Sequence, residues 1–128
     1  MITQHLQLSK YGWRLIVFYN IYPKDLEKVI LTLWEYWCPN KDLKTVALVL
    51  QNPNTGFTYT HPIQRLSIMG IGHVTSYDEF VNTVVHEIKH LQSDICNYYS
   101  WKHDGEQASL VAGDIAGNMY QVFKNYLV

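Results

Sequence analysis

Hydrophobic positions change period several times along the chain, and each change marks an element. From Leu6 to Tyr22, LQLSKYGWRLIVFYNIY is dense in β-branched and aromatic residues, and Ser9 to Gly12 supply turn chemistry, which predicts a hairpin or two short strands. Pro23-Lys24-Asp25 then opens a helix in which Leu26, Val29, Ile30, Leu33, Trp34 and Trp37 recur at helical spacing until Cys38-Pro39-Asn40 stops it. Lys44 to Leu50, KTVALVL, is a short valine-rich run that reads as a buried strand. A strand pair follows across Phe57 to Tyr59 and Arg65 to Ile71, with Gly70 and Gly72 marking a strand that something approaches closely.

Two long helices close the chain. Ser76 with Glu79 three positions on is a capping-box pattern and opens a helix to about Tyr98. Asp104 with Gln107 repeats the signal and opens a last helix continuing to Tyr126. Strands and a helix first, then two helices, predict one α+β domain over residues 1–128, with a mixed or antiparallel sheet.

Composition narrows the function classes. With 48% hydrophobic and 16% charged residues the chain can bury a core. A net charge of -1 without Lys or Arg runs gives no footprint for nucleic acid or an anionic membrane. No window approaches the roughly 18 apolar residues of a membrane span, and the start lacks a basic, apolar leader pattern, so a cytoplasmic protein is expected. Cys38 and Cys96 form no metal-ligand or disulfide framework and are expected to be reduced.

The chemistry concentrates on the helix that Ser76 opens. Phe80, Val84, Ile88, Leu91 and Ile95 form its apolar stripe, while His86 and His90 share a face roughly 150° away at about 100° per residue. Histidines four apart on a helix can direct two ring nitrogens at one zinc ion, and Glu87, between them, can take a proton from water over the metal. Two histidines on a solvated helix face are the plainer alternative.

A catalytic zinc site usually has three protein ligands. Asp94, Asp104, Glu106 and Asp114 lie downstream. Glu106 is favoured because Gly113 and Gly117 share its face and would allow that helix to pack closely on its neighbour. The alternative for Glu106 is a first-turn carboxylate complementing the helix dipole.

His86-Glu87-Ile88-Lys89-His90 with Glu106 on the following helix resembles the gluzincin branch of the zincin metallopeptidases. The chain as a whole is also similar to small zinc peptidases of gut bacteria and their mobile elements. The gluzincin resemblance implies Zn2+ held by His86, His90 and Glu106, with Glu87 as general base acting on a peptide or protein substrate. Where that family has an Asp four residues after the third ligand this chain has Leu110, so Asp114 would be at most a displaced partner of the first histidine.

The same resemblance implies that the strand before the active helix, at Gly70 to His73, rims the cleft; an ordinary edge strand is the alternative. His73, Tyr98, Tyr99, His103 and Tyr120 are candidates to stabilise an oxyanion, His5 and His61 read as surface or turn residues, and Trp101 would wall the site. The functional expectation is a zinc metallopeptidase. A zinc-containing, non-catalytic peptide- or protein-binding module and a metal-free scaffold are the alternatives.

Overall fold

The computed structural model describes residues 1–126. Strand β1 (Ile2–Leu8) turns through a single 3-10 turn, with Gly12 left-handed at φ 60°, into β2 (Trp13–Ile21). Helices α1 (Leu26–Glu35) and α2 (Asn40–Val49) lead to the hairpin β3 (Gly56–His61) and β4 (Leu66–Gly72). Helices α3 (Tyr77–Tyr99) and α4 (Glu106–Phe123) follow, with a 3-10 turn over Lys124–Tyr126.

The four strands make one mixed sheet in the order β1-β2-β4-β3, so the fold is α+β as expected. β1 and β3 pair antiparallel with β2 and β4, while β2 and β4 run parallel, Val17 opposite Met69. The excursion through α1 and α2 supplies the long connection that parallel pairing requires. β4, covered on both faces and paired on both sides, is buried along its whole length, which is why it reads as a continuous apolar run.

Each sheet face has its own core. Trp13, Leu15, Val17, Tyr19, Met69 and Ile71 pack against Phe80, Val84, Ile88, Leu91 and Ile95 of α3 and Val111, Ile115 and Met119 of α4. Ile16, Phe18, Leu66 and Ile68 pack against Val29, Leu33, Val46 and Leu50 from the α1–α2 side. A register shift between Tyr19 and Ile21, with Asn20 at φ 62°, turns Ile21 to the second face. No helix among the described residues is long and apolar enough to cross a membrane.

Three expectations are corrected. Lys44 to Leu50 is helix, not strand: Leu43, Val46 and Leu50 recur at helical spacing toward the core, while Lys41, Lys44, Thr45 and Leu48 are exposed. Asp104 does not cap α4; Gly105 is the N-cap residue, and no side chain accepts there. Gly70 and Gly72 lie on an interior strand and form no rim. The Phe57 ring occupies the space a Cβ would need at Gly70, and the Thr55 carbonyl does so at Gly72.

Candidate metal-binding cleft

The free edge of β3 is the floor of a cleft of about 740 Å³. One wall is α3, with His86, Glu87, His90 and Asp94; the other is α2, with Asp42, Thr45, Val46 and Val49. Trp37, Pro39 and Pro62 close the end nearest His61. A second cavity of about 300 Å³ shares Val49, Gly56, His86 and Glu87 with the first, so the groove continues past the start of β3.

Helix α3 is fixed at its start by Ser76, whose hydroxyl accepts from the Glu79 amide at 3.2 Å. Its apolar stripe is buried and leaves His86 and His90 exposed on the cleft wall, the predicted division of faces. Their Nε2 atoms approach to 3.1 Å, with the rings steeply inclined at 77°. Two nitrogens about 2 Å from one tetrahedral zinc stand about 3.3 Å apart, so the pair fits two ligands of one ion.

Glu87, beside them on the cleft wall, turns inward against β3 and is 3% exposed. Its Oε1 accepts from the Thr58 hydroxyl at 2.9 Å. The carboxylate occupies the space left by Gly56: a Cβ there would stand 2.9 Å from Glu87 Cγ and 3.1 Å from Oε2. Burial raises the Glu87 pKa, while the Thr58 hydrogen bond and the nearby His90 and His86 pull it back down.

Two helical turns further along, Asp94 repeats the device. Its Oδ2 bonds to Thr60 Oγ1 at 2.6 Å, Thr60 lies 2.7 Å from Ser67 Oγ, and Ser67 accepts from the Trp13 indole at 3.0 Å. Burial raises the Asp94 pKa as well, opposed by the Thr60 bond and by His90. Thr58 and Thr60, two apart on one face of β3, thus align the strand edge against Glu87 and Asp94, seven apart on α3.

Glu106 is not brought to this site. It is exposed in the first turn of α4 and does not line the cleft. The buried residues of α4 are Ala108, Val111, Ile115 and Met119, and Glu106 lies about 180° round the helix from their mean direction at 100° per residue. Gly113 and Gly117, on the Glu106 face, have nothing within 4 Å of a Cβ position, so they mediate no close packing. Among the described residues, no three His, Cys, Asp or Glu side chains are grouped to hold a metal. The histidine pair therefore fits zinc, and a third protein ligand is not assembled.

The remaining candidates are dispersed. Asp114 accepts from Tyr11 and Lys10 beside the β1–β2 turn, and Asp104 is exposed before α4. His73 stacks on Tyr22, His103 bonds to Asn97, and Trp101 stacks on Tyr99; none of these lines the cleft. Tyr98 reaches only a smaller adjoining cavity with Asp94 and Thr60. Thr58, Thr60, Asp42 and His61 do line the cleft and were not singled out by sequence reasoning as part of it, because only the β3–α2–α3 juxtaposition brings them there. Cys38 and Cys96 are free and buried.

No family model, no curated protein and no solved structure matches this chain.

Proposed function

We propose that this chain is a small zinc-dependent peptidase whose substrate lies extended along the free edge of β3, with Glu87 as the general base. The observation that carries this reading is the placement of a buried, Thr58-anchored carboxylate beside two converging imidazoles, all on the wall of a groove floored by an open strand edge.

His86 and His90 would hold the zinc, which when bound supplies positive charge that acidifies water toward neutral pH. Glu87 would take a proton from a water in the cleft as the oxygen of that water attacks the peptide carbonyl carbon, and would pass the proton to the amine nitrogen as the C–N bond breaks. Burial makes its carboxylate a stronger base than a solvated one, while the Thr58 hydrogen bond holds it in place.

The strand edge supports a peptide as the substrate. Gly72 N donates to Thr55 O at 2.8 Å, and the antiparallel alternation from that pair turns the amides of Gly56, Thr58 and Thr60 away from β4. Those groups are available to a further strand, the usual mode of peptide addition to a sheet edge.

The test is Glu87→Gln beside the wild type with zinc supplied. Retained metal and a loss of hydrolysis of about 10²- to 10⁴-fold, the usual weight of a general base, are expected; undiminished hydrolysis would overturn the reading.

One observation favours a second reading, a zinc-containing peptide-binding module without turnover: the histidine pair is two ligands where catalytic sites usually have three. Peptide binding unchanged in Glu87→Gln, with no hydrolysis by wild type, would select it.

A further inference from the structure

We propose that Trp37 and His61 form a subsite for an aromatic side chain of the bound peptide, at the end of the cleft where β3 finishes. This rests on reading the cleft as a peptide site and adds to it the kind of sequence selected.

Helix α1 ends in a Schellman turn: Cys38 N donates to Leu33 O at 3.0 Å and Trp37 N to Trp34 O at 3.1 Å. Trp37 is therefore the left-handed residue of the turn, at φ 66°, a position where glycine is usual and a bulky side chain is strained. The ring is not buried in compensation: Trp37 is 60% exposed and meets only the Tyr36 and His61 rings among the described aromatic contacts. A local rule broken without a packing gain is expected where a residue serves binding.

The ring is also in the right place. Trp37 lines the cleft, and its centroid is 5.3 Å from that of His61, the planes tilted by 54°. His61 is the last residue of β3, and side chains alternate along the strand: Thr58 and Thr60 meet α3, whereas Phe57 and Tyr59 pack on the α1–α2 side and His61 meets Trp37.

A peptide residue paired opposite His61 would raise its side chain on that same side, against the exposed indole face. An aromatic ring fills such a slot by offset or edge contact with both rings. From Thr58, beside Glu87, to His61 is about 10 Å at strand rise, so in an antiparallel addition the aromatic residue precedes the cleaved bond by about three positions.

The experiment uses ¹⁵N-indole-labelled Glu87→Gln protein, so that peptides stay intact, with the Trp37 signal assigned by its loss in Trp37→Gly. N-acetylated octapeptides of Ser, Thr and Val carry Phe, Ala or Arg at one scanned position. The expected result is a Phe peptide binding at least tenfold more tightly than its Ala counterpart and shifting the Trp37 indole signal. Adding Trp37→Gly should erase that ratio while raising the unfolding temperature, because glycine relieves the left-handed strain.

Equal affinities or no binding, a ratio that survives Trp37→Gly, or an Arg peptide binding more tightly than Phe would each overturn the proposal. Wild-type protein is tested separately for cleavage: hydrolysis without Phe preference removes the subsite alone, and Phe preference without hydrolysis removes the peptidase alone.

Discussion

His86 Nε2 and His90 Nε2 stand 3.1 Å apart, close enough to share one hydrogen or to direct both lone pairs at one cation. Glu106 is on the far side of the neighbouring helix. His86→Ala or His90→Ala is therefore expected to weaken zinc binding by more than the roughly 10- to 100-fold lost with a supporting partner behind a ligand. Glu106→Ala should leave affinity within experimental error. Calorimetric zinc titration of the three variants checks this, and an equal loss in Glu106→Ala would restore that residue as a ligand.

Gly56 lies directly beneath the Glu87 carboxylate. A methyl group there would stand 2.7 Å from the Gly70 carbonyl oxygen and 2.9 Å from Glu87 Cγ, so either the strand pair or the carboxylate must move. Gly56→Ala is expected to cost about 1–3 kcal/mol of stability, as overpacking does, and to depress turnover beyond what the unfolded fraction explains. Denaturant melts paired with assays well below the midpoint separate the two effects.

Gly113 and Gly117 face open space in the interior of α4. Replacing either with alanine should stabilise the protein by about 0.5–1 kcal/mol through helix propensity alone. If either glycine instead served close helix packing, the same substitution would lower the unfolding midpoint.

Alkaline pH should destabilise the fold in a defined window. Burial, with Asp42 nearby, pushes the Cys38 thiol from its ordinary value of 9.0 up to about 11, and burial raises the Tyr19 phenol as well. The unfolded chain then loses these protons at lower pH than the folded one, so stability is full below pH 9 and falls as pH rises toward 11. Cys38→Ala should make that slope shallower in melts from pH 8 to 11. An unchanged slope would show that Cys38 takes no part in it.

The helix that bears the candidate residues was legible in the sequence because its signals were local: Ser76 as cap, the Phe80-to-Ile95 stripe and the histidines opposite it are all properties of one segment. KTVALVL misled because its valines favour strands, whereas the decisive spacing of Leu43, Val46 and Leu50 begins before the run. The parallel β2–β4 pairing left no local mark, and without it β4 could be taken for a rim. His61, Thr58 and Asp94 were missed or set aside for the same reason: their meaning comes from a strand edge, a helix and a turn lying side by side. Glu106 had a favourable spacing, but α4 buries its other face.

The chain from Trp13 through Ser67 and Thr60 to Asp94 has a direction. An indole N–H can only donate, and Ser67, fully buried, has only Thr60 to receive its own hydrogen. Thr60 then gives its hydrogen to Asp94 Oδ2, which accepts it as a carboxylate oxygen. To give up a proton from that oxygen Asp94 would have to turn the hydroxyls of Thr60 and Ser67, leaving the serine hydrogen stranded in the core. The two cleft carboxylates are thus held differently: three linked bonds run from the core to Asp94 Oδ2, while the Glu87 side chain is tied to a single threonine.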